Sequence, residues 1–470
     1  MIPSRHPKCL DLTNPAAAPL ARPVFPLVGQ SFRLPRPLAD AFFHNFSGSG
    51  TGIFASYYVA ANEYAHPRWV RFHNAAVGYA GRLVNSLRTI LVSAGEASGD
   101  RYATLLVEEL RRRHPEVQFF GCAGARLREA GVEAVVRGES LSVVGLVEVI
   151  HHIPRIYKEF RRLIQAARAR RPDLAILTDS PDFHFRVAGK LKEMGVPVVY
   201  LVAPQVWAWR QGRTKIMRRI IDRLLCIFPF EEKFFLERGV PAVYIGHPLA
   251  GRVRPSLSKA EFFRKHSLPH DRPLIAILPG SRQGEAARHL PVLMEVASRL
   301  QREDGATCIL PASATTGVEF FRQRVGAAPV TVIDGESWDA MAHCDVALAA
   351  SGTVTVEGAL LGAPMVTYYR VNALSWLIGR RLVKVPFLSM VNLIADRMIV
   401  KEFMQDEMTA DNLTKEVRRL LDPVAAAGMR EDLASVAQRL SGDRDAILRA
   451  ADEVDRLMDE ARFRNAISVR

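Results

Sequence analysis

From Thr89 onward, apolar runs of four to six residues alternate with longer segments whose apolar residues recur every three or four positions. This alternation constrains the fold more than any other feature of the chain. A strand, a helix and a further strand pack as a parallel pair with the helix crossing over one face. Repetition of that unit builds an open sheet covered on both sides. The first set of runs is Thr89–Ser93, Val117–Gly121, Leu174–Thr178, Pro197–Val202, Arg223–Phe228 and Ala242–Ile245, with helical patterns such as Arg101–Arg113 and Ile153–Arg171 between them. "GHPLAGRVRPSLS" (Gly246–Ser258) breaks the rhythm. It resumes with Leu274–Leu278, Ala306–Leu310, Val330–Ile333, Val346–Ala349 and Pro364–Tyr368, and ends in amphipathic helix over Thr409–Arg464. The expectation is an α/β chain with two Rossmann-like, doubly wound domains facing a cleft, 89–250 and 251–470. Ligands of such sheets bind beyond the carboxyl ends of the strands, so function is to be read in those loops.

Residues 1–88 differ from the rest. They are Pro-rich early ("NPAAAPLARPVFP"), Gly-rich later ("FSGSGTG"), and show no sustained period. A disordered extension is expected, or a stretch ahead of a true start near Val84, since the next methionine after Met1 is Met194, inside the fold. The segment lacks the order of a secretory signal, whereas its Arg-rich, acid-poor character also fits a transit peptide. It holds nine Lys and Arg against three Asp and Glu, so it supplies +6 of the net +14. A basic balance suits anionic membranes, phosphorylated substrates or nucleic acid, and no nucleic-acid-binding signature accompanies it. The longest apolar stretch, Val196–Trp209, is about 14 residues with two prolines, which reads as a buried strand and loop rather than a membrane span. Five widely spaced cysteines (Cys9, Cys122, Cys226, Cys308, Cys344) form no CxxC pair and read as reduced thiols without a metal.

"ILVSAGEASGD" (Ile90–Asp100) has the outline of a phosphate-binding turn, yet carries Glu96 and Asp100 and no base. "LPGSRQGE" (Leu278–Glu285) is the complement: Gly280 admits a close backbone approach, Ser281 and the first helical amides donate, and Arg282 adds a forked cation. "ASGTVTVEGALLGAP" (Ala350–Pro364) opens a helix at Ser351, Gly352 and Thr353, with Glu357 one turn on, where a carboxylate suits a ribose hydroxyl pair. Two such loops in one domain suggest a nucleoside diphosphate between two helix N-termini. "LTDSPDFHF" (Leu177–Phe185) ends a strand with Asp179, placed to act as a general base on a hydroxyl. In the same segment Asp182 reads as a helix cap, and His184 as either a core or a surface residue. "APQVWAWRQGR" (Ala203–Arg213) sets Gln205, Trp207, Trp209 and Arg210 after another strand, as a sugar or lipid platform or as core packing. In "SLSVVGLVEVIHHIPRIYKEFRRLI" (Ser140–Ile164), Val147, Val149, Ile150, Ile153 and Ile156 read as an apolar ridge beside Arg155, Lys158, Arg161 and Arg162, or as an ordinary core helix.

Taken together, "SAGEASGD", "SVVGLVEV", "DSPDF", "APQVWAWR", "FPFE", "IGHPL", "LPGSR", "ASGTVTVE", "PMVTYYR" and "VNLIADR" closely resemble the lipid-A-disaccharide synthases, glycosyltransferases of the GT-B fold, in order from about residue 89 to 397. The resemblance implies an inverting transfer with neither metal nor cofactor. A 2,3-diacylglucosamine moves from UDP to the 6-hydroxyl of 2,3-diacylglucosamine 1-phosphate, giving a β-1,6-linked disaccharide and UDP. It implies Asp179 as base, Arg282 on the leaving diphosphate, and Gly280, Ser281, Ser351, Gly352, Thr353, Glu357 and Asn392 around the donor. Val391 stands where the family usually carries Pro. Gly95, Glu96, Ser98, Gln205, Trp207 and Arg210 fall to the acceptor in the first domain, with Asp100 as a cap for the helix it opens. The ridge from Val147 to Ile156 falls to the membrane. The implied location is cytoplasmic, peripheral on the inner face of the cytoplasmic membrane, and a homodimer is compatible with it. The alternatives weighed are another GT-B enzyme on UDP-N-acetylglucosamine (a peptidoglycan-type transferase or a 2-epimerase), a dinucleotide-dependent oxidoreductase, which lacks a convincing GxGxxG, and a non-catalytic membrane-binding protein.

Overall fold

The computed structural model describes residues 25–27, 30–32, 89–141, 146–372, 376–377, 383 and 385–468, and side chains within 89–141, 154–372, 376–377, 383 and 385–461. Met1–Asn85 forms one unit and Ser86–Arg470 another. In the first, β1 (Phe25–Leu27) pairs antiparallel with β2 (Gln30–Phe32), Phe25 opposite Phe32. The other expectations for residues 1–88 lie outside the described residues, as do the side chains of Val147, Val149, Ile150 and Ile153 and that of Cys9.

The second unit holds two parallel sheets. Seven strands form the first: β3 (Thr89–Ala94), β4 (Gln118–Ala123), β5 (Glu133–Arg137), β6 (Leu174–Thr178), β7 (Val198–Leu201), β8 (Arg223–Cys226) and β9 (Ala242–Tyr244), in the order β5-β4-β3-β6-β7-β8-β9. Six form the second: β10 (Leu274–Leu278), β11 (Thr307–Ala312), β12 (Val330–Asp334), β13 (Val346–Ala350), β14 (Met365–Tyr369) and β15 (Glu402–Met404), in the order β12-β11-β10-β13-β14-β15. The central strands β6, β7, β10 and β13 are buried at every residue, as helices on both faces require. Strand order reverses at β3/β6 in the first sheet and at β10/β13 in the second. Four of the five chemically suggestive strand-end loops therefore emerge at the two points where parallel sheets of this kind open a crevice, and the fifth, Ala203–Arg213, follows the neighbouring strand β7.

Two edge strands escaped the apolar-run pattern. β5 ("EAVVR") is charged at both ends and half exposed, and β15 is three residues long. The segment Val196–Trp209 is β7 and its following loop, as its prolines suggested. Among the described residues no helix is long and apolar enough to cross a membrane.

The C-terminal tail is three helices, Ala410–Leu421, Pro423–Ser441 and Ala446–Ser468. The last departs from the expected division at residue 251, because it packs back on the first sheet's side. Arg113, at the end of helix Ala97–Arg113, bonds Asp452 at 2.8 Å, Asp455 at 2.9 Å and the Leu448 carbonyl at 3.2 Å. Arg223 of β8 meets Glu453 at 3.4 Å and Glu460 at 2.9 Å. The chain thus crosses between the two sheets twice, and the crossings are joined where the His247 amide donates to the Leu440 carbonyl at 2.8 Å. Arg113 is mostly shielded, and its removal leaves Asp452 to Arg444 and Asp455 to His114 while the hydrogen bonds it makes to both are lost. Arg113→Ala is expected to lower stability by about 2 kcal/mol, read by chemical denaturation, with faster amide exchange over 446–460.

Candidate active site

Asp179 follows the last residue of β6 and turns its carboxylate back onto the loop after β3. The Gly95 amide donates to Oδ1 at 2.8 Å and the Glu96 amide to Oδ2 at 2.9 Å. These amides lie at the start of helix Ala97–Arg113, whose dipole also favours a negative group. The turn that resembled a phosphate site holds a carboxylate of its own chain. Gly99 lets it come that close: a Cβ at 99 would lie 1.8 Å from Oδ2.

Asp179 itself is strained, with φ 57, and Ser180 follows at φ 37. Its carbonyl is gripped twice, by the Tyr200 hydroxyl at 2.5 Å and His184 Nδ1 at 2.9 Å. Because that carbonyl only accepts, Nδ1 carries the imidazole proton, and Nε2 accepts from the Ser93 hydroxyl at 2.7 Å. His184 is fully buried, and desolvation pushes its pKa down to about 4, so the ring is neutral at physiological pH. Burial acts in the opposite sense on Asp179. It raises the carboxyl pKa to about 7, against the two amide hydrogen bonds, which favour the anion, while the nearby Glu96 charge adds to the rise.

Across the cleft, Arg282 stands at the N-cap position of helix Gln283–Asp304, its side chain more than half exposed and 3.4 Å from Glu96 Oε2. Glu96 thus holds the candidate base through its backbone and the candidate phosphate cation through its side chain. The side chain of Glu285 folds back over Gly280, and burial raises its pKa. Gly352 and Thr353 are exposed at the start of helix Thr353–Leu360, with Ser351 beside them. Glu357 is mostly shielded. It receives a hydrogen bond from the Trp338 side chain and lies 3.6 Å from Arg101. Arg101 also sits over the Trp338 ring, 4.8 Å from its centroid. Sequence reasoning missed Arg101 and Trp338. The available signal was Arg101's place directly after "GEASGD", one position beyond the last motif residue.

Several expected site residues fall elsewhere. Trp207 is core, its indole N–H donating to buried Glu231 at 3.0 Å. That leaves exposed Gln205 and Arg210, the latter over the ring of Trp209 at 4.1 Å. Asn392 is fully buried. Its amide donates to the Val400 carbonyl and to Glu402, both at 2.7 Å, and its oxygen accepts from the amides of Ile399 and Val400, both at 2.9 Å. These bonds brace the short helix Met390–Ala395, and Val391 occupies its second position, within the first turn where Pro is tolerated. Asp182 does not cap its helix but pairs with Arg213. Asp100 caps a different helix from the one it opens, accepting from Gly124 at 2.8 Å and Arg126 at 2.9 Å. Ile156 is partly buried against the core, whereas Arg155, Lys158, Arg161 and Arg162 are exposed with Tyr157 beside them. Ser98 is exposed on the first turn of its helix. Cys122, Cys226, Cys308 and Cys344 are buried free thiols. A cavity of about 610 Å³ bordered by Arg171, Asp173 and Met194 lies at the amino ends of β6 and β7, the wrong end of the sheet for a ligand of this fold.

Two parallel, doubly wound sheets with paired switch-point loops define the GT-B class. The chain resembles a UDP-GlcNAc 2-epimerase from Neisseria meningitidis solved with UDP-GlcNAc (TM-score 0.56, 12% identity, 78% of this chain and 100% of that one). It also resembles the calicheamicin glycosyltransferase CalG4 (TM-score 0.52, 14% identity, 79% and 98%). The family model for lipid-A-disaccharide synthetase matches residues 90–441. Lipid-A-disaccharide synthases of Solibacter usitatus and Myxococcus xanthus are 62% and 44% identical over 371 and 378 residues, 79% of this chain in each case and 97% and 98% of theirs. The chain belongs to the lipid-A-disaccharide synthase family and is a glycosyltransferase.

Because the folded protein binds Asp179's proton more tightly than the unfolded chain does, this group's contribution to stability is full below about pH 4 and is lost as pH rises through about 7. Wild type is expected to lose about 4 kcal/mol relative to Asp179→Ala between pH 4 and pH 8, read as the difference between their chemical denaturation curves.

Proposed function

We propose that the cleft joins UDP-2,3-diacylglucosamine to 2,3-diacylglucosamine 1-phosphate, with residues 89–250 holding the acceptor and 251–445 the donor. Asp179 takes the proton of the acceptor's 6-hydroxyl as that oxygen bonds C1 of the donor sugar. The bond from C1 to the β-phosphate oxygen breaks, UDP leaves with the electron pair, and the anomeric centre inverts. Arg282 balances the charge that develops on the diphosphate, helped by the amides of Ser281, Gly352 and Thr353. Glu357 accepts from the ribose hydroxyls.

One observation carries the reading. A buried carboxylate with its pKa raised to about 7 and an exposed arginine are brought to one place by Glu96, from opposite switch points. A base poised near neutrality on one side and a cation on the other are the two requirements of displacement from a nucleoside diphosphate. Both substrates are acylated, so the enzyme must meet them at a bilayer. The exposed Arg155, Lys158, Arg161, Arg162 and Tyr157 on helix Leu146–Arg170 supply a basic face for peripheral contact with anionic lipid.

Turnover of the two lipids in detergent tests this. Asp179→Ala is expected to lower kcat by about 10²–10⁴-fold, and Arg282→Ala by about 10²–10³-fold. Wild-type activity in Asp179→Ala would remove the base, and a folded wild type that forms no disaccharide would remove the substrates. The kcat/KM of wild type is expected to fall as pH drops through about 7, since the protonated carboxyl cannot accept. A flat profile from pH 5 to 8 would contradict this. Glu357→Gln is expected to raise the donor KM about tenfold with little change in kcat, measured by varying the donor at saturating acceptor.

A further inference from the structure

The turn Ala94–Asp100 has every feature of an anion receptor except a cation, and its occupant is Asp179. We propose that this turn is a carboxylate cradle that sets the position of the catalytic base, and that Gly99 is the positioning residue that fixes its depth. The inference rests on the reading of Asp179 as the base and concerns what holds that base in place.

Three observations converge. First, the contact is two-pronged: separate amides, of Gly95 and Glu96, each hold one carboxylate oxygen, at 2.8 and 2.9 Å. That fixes the plane of the carboxylate, and with the Ser180 hydroxyl as a third donor it still leaves a lone pair for the incoming hydroxyl. Second, there is no room behind it. A Cβ at Gly99 would stand 1.8 Å from Oδ2 and 2.8 Å from Cγ, and one at Gly95 would stand 2.4 Å from Ser180 Oγ and 3.0 Å from Oδ1. Third, neither wall can retreat. Behind Gly99 the helix is pinned by Asp100, bonded to the Gly124 and Arg126 amides, and by buried Tyr102 and Ala103. Behind Asp179 the main chain is held in a left-handed conformation by Tyr200 and His184, and His184 is tied by Ser93 to the strand that leads into the same turn. A methyl group at 99 meets the carboxylate first, at 1.8 Å from Oδ2, and crowds the Thr178 methyl next, at 3.1 Å, so the carboxylate is the group it displaces furthest.

The test is a double-mutant cycle on the full chain, with steady-state turnover of both lipids and UDP binding by calorimetry. Gly99→Ala is expected to lower kcat by about 10²-fold or more with both KM values and UDP affinity unchanged. In the Asp179→Ala background the same substitution is expected to cost nothing further, because groups acting as one unit are not additive. Near-wild-type kcat in Gly99→Ala beside an impaired Asp179→Ala overturns the cradle and leaves the base intact. A further loss in the double variant also overturns it, since Gly99 would then act by another route. Full activity in Asp179→Ala removes the base and the cradle with it. Should Gly99→Ala fail to fold, Gly95→Ala serves: it first meets a rotatable hydroxyl, so a smaller kcat loss that vanishes without Asp179 is expected, and wild-type kcat there overturns the proposal.

Discussion

Parallel pairing with right-handed crossovers is the constraint on which the rest of this molecule depends. Where successive crossovers change side, two strand ends lie adjacent with no helix between them, and the loops that follow diverge to leave a crevice. This happens at β3/β6 and at β10/β13. The turns at Gly95 and Asp179 occupy the first crevice, and those at Arg282 and Ser351 the second. Residues 84 positions apart in sequence, Gly95 and Asp179, thereby come to hydrogen-bond distance without any local sequence signal.

The two crevices divide their chemistry by charge. The first contains Glu96 and Asp179, and its two leading amides are already occupied by a carboxylate, so they are not free for an incoming diphosphate. In the second, Arg282 stands at an exposed helix start. A nucleoside diphosphate is therefore directed to one side only, and the hydroxyl that attacks it to the other. Glu96 and Arg101 cross that division, meeting Arg282 at 3.4 Å and Glu357 at 3.6 Å. Both pairs are partly exposed, and pairs of that kind contribute little to stability. Their consequence is placement: they bring the donor-side cation and carboxylate to the wall that carries the base.

Much of this was legible in the sequence, and the failures have a common cause. Strand–helix alternation reveals sheets because burial on both faces demands unbroken apolar runs. It misses β5 and β15 because an edge strand needs only one neighbour and tolerates charge. The loop residues stood out because Gly, Ser, Asp and Arg recur together at the ends of strands that meet at a switch point, although Gly, Ser and Asp also serve turns and caps. What the pattern could not reveal is which polar group already has a partner. Trp207 and Asn392 look functional until Glu231, Glu402 and the 399–400 amides are found to have claimed them. Asp182 and Asp100 read as caps, yet one pairs with an arginine and the other caps a neighbouring helix. The return of the last helix to the first sheet depends on Arg113 meeting acids more than 330 positions away, which no local period encodes.

The choice of neighbours around Asp179 follows from the same physics. A buried carboxylate can be stabilised by a cation or by neutral dipoles, and the two differ in what they do to its basicity. A cation within a few ångströms lowers the pKa by one to three units and leaves a poor base. Here the nearest ring, His184, is fully buried with its pKa pushed down to about 4, so it is neutral and contributes geometry without charge. Arg282 reaches Asp179's surroundings only through Glu96, whose own negative charge acts against it. The amides of Gly95 and Glu96 hold the anion in place without fully offsetting burial, and the carboxyl stays at about 7. A neutral histidine, an acidic turn and two backbone amides therefore make a firmly held group that is still willing to take a proton, which is what abstraction from a sugar hydroxyl near neutral pH requires.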